Sequence, residues 1–317
     1  MTTVRARVHG PEPAGRGGGG QQLVIRDTTA GRPLLLFVHG GPGGTMGNAW
    51  FRRFNAALAQ DFTVVTWDQR GAGRTGEPPA TCISRYLQDL HDVMLWLRLN
   101  FPDRGVLLVG HSWGSVLGLQ YAATHPDHLL GYVGISQVID MPRSEAHSYQ
   151  WARQEAQRRG HRAALRALTR IGPPPYGARE VLTQRTWLSV LGGDQHARLG
   201  AHHLLREALH DPAFTPWDLW LHLRGTLKGT QALWPEFSAV DLSPLQSFTI
   251  PLWFAQGRHD QVTPGSILTS HVAQLRAPLV HTRWFEHSGH APQIEEQQQF
   301  NEWLRDEVLP RLHQPVT

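Results

Sequence analysis

Cysteine is almost absent from this 317-residue chain, where Cys82 stands alone. No disulfide can form within the chain, so its stability does not come from a cross-linked framework. Lysine is equally scarce: Lys228 is the single one, and the other basic residues are arginines. The net charge is only +4. The basic residues are spread out rather than gathered into the stripe that nucleic-acid binding uses, so no nucleic-acid partner is expected. No apolar run approaches the roughly 18 residues of a membrane span, which speaks against a membrane partner as well. The cytoplasm is the simplest expected location. What remains is a chain with 40% hydrophobic and 18% charged residues, the composition of a folded globular protein.

The first residues carry Arg5, Arg7 and Arg16 without an apolar stretch behind them, and Gly17 to Gly20 follow. Residues 1–22 therefore read as a flexible leader, not a signal peptide. Beyond them, short apolar runs alternate with helical patterns. Leu34–Val38, Phe62–Trp67, Val106–Val109 and Tyr132–Ile135 read as buried strands. Such continuous runs suit a parallel sheet covered on both faces. A helix is expected over Ser84–Asn100, with Leu87, Leu90, Met94 and Leu97 at helical spacing, Ser84 as its cap and Pro102 beyond its end. Strand–helix alternation implies an α/β fold with a doubly wound, mostly parallel sheet.

The texture changes near Asp140. From there to about Asp241 the patterns are mostly helical and rich in arginine, histidine and tryptophan, with Pro173–Pro175 as a break. Strands resume at Pro251–Ala255 and Thr282–Phe285, and a last amphipathic helix is expected over Glu295–Leu312. The expected organisation is a core of residues 23–139 plus 241–317, with residues 140–240 inserted as a helical cap.

The strongest local signal is Gly110-His111-Ser112-Trp113-Gly114, between a strand and a helix. A serine on so tight a turn projects above the sheet, and the flanking glycines let strand and helix backbones approach. A serine hydroxyl needs a base to take its proton. The order expected for this arrangement is serine, acid, histidine. Asp260 follows a late strand and fits the acid. His290 follows the last strand and fits the base, because Ser288-Gly289 lets the loop turn back. His259 and His287 are rival bases among nineteen histidines, and Asp241 is a rival acid. His39-Gly40-Gly41-Pro42-Gly43-Gly44, straight after the first strong strand, supplies glycine amides for an oxyanion. The amides of Gly41 and Trp113 are the expected pair. Such chemistry needs no metal and no organic cofactor.

Together with Trp67-Asp68-Gln69-Arg70-Gly71-Ala72-Gly73-Arg74-Thr75, these motifs resemble the proline iminopeptidase group of α/β-hydrolases. The resemblance covers roughly residues 33–139 and 241–300. It implies the α/β-hydrolase fold, a helical cap over the active site, and an aminopeptidase that removes an N-terminal residue from a short peptide or small amide. It implies a structural part for Asp68–Arg74, pinning loops behind the oxyanion site. The chain departs from the group in carrying His111 where glycine is usual, and in lacking a Trp-x-x-Trp-Glu pattern in the cap. Prolyl enzymes use cap glutamates to hold the substrate ammonium. Candidates for that role are Glu145, Glu207 and Glu236, with Glu155 and Glu180 as further carboxylates, and Trp187 for an apolar pocket. The other insertion tryptophans, Trp151, Trp217, Trp220 and Trp234, fit either a pocket or the cap's own core. A carboxylesterase, lactonase or thioesterase would use the same triad. A ligand-binding protein without catalysis is the remaining alternative.

Overall fold

The computed structural model describes residues 3–8, 20–26, 29–76, 78–196, 199 and 201–312. Eight strands form one sheet. They are β1 (Thr3–Val8), β2 (Gln21–Arg26), β3 (Leu34–Val38), β4 (Thr63–Asp68), β5 (Val106–His111), β6 (Gly131–Ile135), β7 (Leu252–Gly257) and β8 (Val280–Phe285). Their spatial order is β1-β2-β4-β3-β5-β6-β7-β8. Antiparallel pairing is confined to the β1–β2 and β2–β4 edge, and every pairing from β4 to β8 is parallel.

The apolar runs are continuous because each strand feeds two cores. Alternate side chains of a strand point to opposite faces. Leu34, Leu36 and Val38 of β3 enter one core with Tyr86, Leu90, Met94 and Val116. Leu35 and Phe37 enter the other, with Phe51, Phe300 and Trp303. The first face is covered by α2 (Ile83–Asn100) and α3 (Trp113–Thr124), and the second by α1 (Met46–Phe54) and the C-terminal helices.

Between β6 and β7 the chain runs through α4 (Met141–Arg158), α5 (Arg162–Ile171), α6 (Ala178–Val190), α7 (Ala201–Leu209) and α8 (Pro216–Phe237). A bridge between Asp140 and Asp241 joins the two ends of this excursion. α9 (Gly265–Val272) then connects β7 to β8.

Three expectations need correction. Thr3–Val8 lies within the expected flexible leader but pairs with β2, while residues 9–19 fall outside the described residues. Val4, Ala6 and Val8 alternate with Arg5 and Arg7 at the strand period, and Val8 is buried. The last helix is not continuous. It divides into α10 (Pro292–Glu295) and α11 (Gln297–Trp303), followed by a wider turn over Leu304–Val308 and a tight one over Leu309–Arg311. Pro310 has no N–H to continue a regular helix. Finally, Ser84 does not cap α2. The helix starts at Ile83, and the Ile83 amide donates to the Glu236 carboxylate at 3.0 Å.

Candidate active site

β5 ends in His111 and α3 begins at Trp113, so Ser112 makes the whole turn. Its backbone sits at φ 53° and ψ −120°, a region that costs a non-glycine residue energy and persists only under strong local constraint. The flanking glycines supply that constraint. A Cβ on Gly114 would lie 2.1 Å from the Val38 carbonyl, and one on Gly110 would lie 2.6 Å from the Gly114 carbonyl. Helix and strands therefore meet backbone to backbone. The Ser112 amide donates to Ile135 at 3.0 Å, and the Ser115 hydroxyl donates to the Ser112 carbonyl at 2.6 Å.

The Ser112 Oγ lies 2.9 Å from His290 Nε2, and His290 Nδ1 lies 2.9 Å from Asp260 Oδ2. With Nδ1–H donating to the carboxylate, Nε2 is free to accept from the serine. Asp260 is buried. Its Oδ1 accepts from the amides of Val262 and Thr263 at 2.8 and 3.0 Å, and Oδ2 accepts from the Thr263 hydroxyl at 2.6 Å. Burial alone would raise this carboxyl. The adjacent His290 imidazole and the Thr263 bonds outweigh burial and hold it at about 2. It is an anion at any ordinary pH. The rivals point elsewhere: His259 stacks on His196 with ring centroids 3.7 Å apart, His287 is exposed, and Asp241 accepts from the Ser243 amide.

The backbone of His290 is fixed from both sides. Its carbonyl accepts from His111 Nε2 at 2.8 Å and from the Ser136 hydroxyl at 2.9 Å, and its amide donates to the Asp194 carbonyl at 2.7 Å. Burial pushes the His111 imidazole down to about 3, so it stays neutral and donates through Nε2–H. The residue that departs from the family motif thus holds the histidine loop.

The glycine loop after β3 is tied to the same turn by Gln69. Gln69 donates to the His39 carbonyl at 2.8 Å and accepts from the Trp113 indole at 2.8 Å. The Gln69 amide also donates to His39 Nε2 at 3.4 Å, which leaves His39 Nδ1–H for the Gly40 carbonyl at 2.6 Å. Gly41, at φ +149°, faces Trp113: a Cβ there would lie 3.9 Å from the indole Cδ1. The Asp68–Arg74 segment does more than brace this loop. Arg74 donates to Asp218 at 2.7 and 2.9 Å and so clamps the start of α8. Asp68, whose carboxyl is raised by burial, accepts from Asn48 at 2.7 Å.

Above Ser112, His290 and Gly41 lies a cavity of about 300 Å³. Most of its wall is apolar, from Val138, Met141, Val181, Leu188, Trp234 and Phe237. The polar residues on it include Arg185 and Asp194. Arg185 is engaged from behind by Glu145, a buried carboxylate paired to both guanidinium nitrogens. One Asp194 oxygen, Oδ1, is buried and has no hydrogen-bond partner.

The expected substrate-binding residues lie elsewhere. Glu145 reaches the cavity only through Arg185. Glu207 pairs with Arg53 at 2.9 Å, Glu236 is spent on the start of α2, and Glu155 pairs with Arg158 and Arg159 at the surface. Trp187 packs edge-on against His161 at 5.3 Å and is not on the cavity wall. Among the other tryptophans, Trp234 lines the cavity, while Trp217 and Trp220 are exposed. The resemblance to prolyl enzymes points to cap glutamates as holders of the substrate ammonium. Glu145, Glu155 and Glu207 meet arginines and Glu236 meets a helix start, and the acidic residue in the cavity lining is Asp194, in the turn after α6.

Residues 33–168 match the family model for the alpha/beta hydrolase fold. A probable aminopeptidase of Bacillus subtilis (strain 168) is 34% identical over 289 residues, which is 87% of this chain and 89% of that one. Among solved structures, a proline iminopeptidase of Mycobacterium smegmatis matches with a TM-score of 0.68 at 16% identity, covering 98% of this chain and 99% of that one. An N-acyl homoserine lactone degrading enzyme matches with a TM-score of 0.62 at 18% identity, covering 96% and 100%. At these identities the two structural likenesses concern the fold.

Proposed function

The chain belongs to the α/β-hydrolase family, and from that premise we propose a serine aminopeptidase of the proline iminopeptidase type, acting on short peptides or amino-acid amides. The observation that carries the reading is the 2.9 Å relay from Ser112 through His290 to Asp260 at the floor of the cavity. Ser112 Oγ attacks the substrate carbonyl while His290 Nε2 takes its proton. Asp260 keeps the proton of His290 on Nδ1 and stabilises the imidazolium. The amides of Gly41 and Trp113 hold the oxyanion, each donor contributing about 2.7–4 kcal/mol to the transition state. His290 then protonates the leaving amine, and water activated by the same imidazole releases the acyl group.

The free ammonium of the substrate falls to Asp194. Its unpartnered Oδ1 beside the cavity is a buried acceptor that a charged donor would satisfy. The apolar wall takes the side chain of the N-terminal residue. The same wall supports a second reading, an esterase, lactonase or thioesterase for small apolar acyl groups.

Turnover of prolyl-p-nitroanilide, its N-blocked counterpart and p-nitrophenyl butyrate distinguishes the two, with Ser112→Ala as the blank. The aminopeptidase reading expects cleavage of the free amide and not of the blocked one. It also expects Asp194→Asn to raise KM for the free amide on the order of tenfold or more, the worth of a hydrogen bond to a charged group. Turnover of the ester alone would overturn it in favour of the second reading.

A further inference from the structure

The exposed face of α8 is unlike the rest of the surface. Trp217, Trp220, Leu223, Arg224, Leu227 and Lys228 recur at spacings of three and four, so they share one side of the helix. Trp217 is 56% exposed, Trp220 46%, Leu223 61% and Leu227 48%. The two indoles stack with centroids 4.6 Å apart, and the Arg224 guanidinium lies 5.3 Å over the Trp220 ring. Beside them opens a cleft of about 400 Å³, lined by Arg74, Arg224 and Lys228. Asp218 is buried under this face and taken by Arg74, and no other acid occurs in the helix before Glu236. Among the described residues no ion pair engages Arg224 or Lys228. The chain's single lysine stands here.

We propose that this face of α8 is a peripheral docking surface for an anionic lipid bilayer. Trp217, Trp220, Leu223 and Leu227 enter the headgroup layer, and Arg224 and Lys228 are held at lipid phosphates. Charge complementarity selects this occupant. A second copy of the chain would bring Arg224 and Lys228 against their own counterparts, and among the described residues that line the cleft no carboxylate answers them. A nucleic acid would meet the phosphate requirement, yet the indoles stack on each other, and the leucines contribute nothing to a phosphate backbone. A bilayer surface answers every part: indoles favour the interfacial layer, aliphatic tips reach the acyl boundary, and cations take the phosphates. The absence of a spanning run excludes insertion as a transmembrane helix and leaves this mode open; no helix among the described residues is long and apolar enough to cross a membrane. Further along α8, Thr230 and Trp234 follow Leu223 and Leu227 by seven residues each and, with Thr226, line the Ser112 cavity.

The test is co-sedimentation of the full chain with phosphatidylglycerol–phosphatidylcholine vesicles and with phosphatidylcholine vesicles alone. Partition into the anionic vesicles should be at least about tenfold stronger and should weaken as salt rises from about 0.05 to 0.5 M. The tryptophan emission should move to shorter wavelength on binding. Trp217→Ala with Trp220→Ala should remove the partition. Arg224→Gln with Lys228→Gln, a change confined to exposed side chains, should remove the preference for anionic vesicles while thermal melting and p-nitrophenyl butyrate turnover stay as they are. No partition into either vesicle overturns the proposal. So does equal partition that ignores the charge substitutions, and so does a solution dimer that the tryptophan substitutions dissociate. None of these outcomes depends on the acyl-transfer reading.

Discussion

The floor of the cavity and its helical wall obey different rules. On the floor, each side chain is placed by a turn a few residues long. Ser112 is held by glycines two residues away on either side, and Asp260 is held by amides two and three residues further on. On the wall, each side chain is placed by whatever helix it meets. Arg185 on the wall meets Glu145, forty residues earlier and off the wall, and Glu236, in the same helical insertion but also off the wall, is turned to the start of α2, 153 residues earlier. A floor residue answers to local backbone geometry and a wall residue to packing. Substitutions on the floor should therefore change chemistry with little effect on stability, and those on the wall the reverse.

The largest expected effect is on the floor. Ser112→Ala should lower kcat on the order of 10⁴–10⁶-fold while the melting temperature stays within about 2–3 °C. Steady-state turnover and calorimetry on the same preparation check both halves. Retained turnover would remove Ser112 from the chemistry.

The same contrast explains what could be read from the sequence. Gly110–Gly114, Asp260 and His290 were legible because strand, turn and helix signals sit next to the residues that use them. The parallel strands were legible because each feeds two cores and so appears as an unbroken apolar run. β1 was hidden because its alternation runs over Arg5 and Arg7, which drew attention to charge rather than to period. Asp194 carried no signal at all. Its relevance comes from its carbonyl meeting the His290 amide and from its place in the cavity lining, and both are tertiary facts. His111 was visible only as a departure from the family motif, and its bond to the His290 carbonyl lies 179 residues away in sequence.

On the wall, the largest expected loss is of stability. Arg185→Met removes the partner of Glu145, whose side chain is only 3% exposed, and strands a buried carboxylate. Breaking a fully buried pair costs about 3–5 kcal/mol; with Arg185 itself 27% exposed, roughly 2–3 kcal/mol is expected. Denaturant melts should show it, while kcat for p-nitrophenyl butyrate should fall far less than for Ser112→Ala. A variant that keeps its stability but loses kcat would move Arg185 to the chemistry and break the contrast.

His111 tests the floor at its border with stability. Its folded imidazole titrates at about 3, against an ordinary value of 6.5. The unfolded chain takes up that proton first, so the contribution of His111 to stability is complete above about 6.5 and is lost as pH falls toward 3. His39 and His222, both pushed by burial to about 4, act in the same direction. His111→Gln should flatten the fall of stability between pH 6 and 4 by up to about 1.4 kcal/mol per pH unit, read from urea melts across that range. An unchanged slope would mean that the imidazole is charged in the fold and cannot be serving as a neutral support of the His290 loop.

The smallest expected effects separate two glutamates that sequence alone could not tell apart. Glu207→Ala breaks a pair in which Arg53 is 37% exposed, and screening by water limits the loss to less than about 1 kcal/mol. Glu236→Ala frees the Ile83 amide at the start of α2, where the loss of a capping acceptor costs about 1 kcal/mol. Neither change should alter KM for prolyl-p-nitroanilide by more than about twofold, because neither carboxylate lies on the cavity wall. The informative comparison is with Asp194→Asn in the same assay. If KM responds to Glu236 and not to Asp194, the ammonium is bound from the helical wall after all, and packing has placed a residue of the chemistry where only turns were credited with doing so.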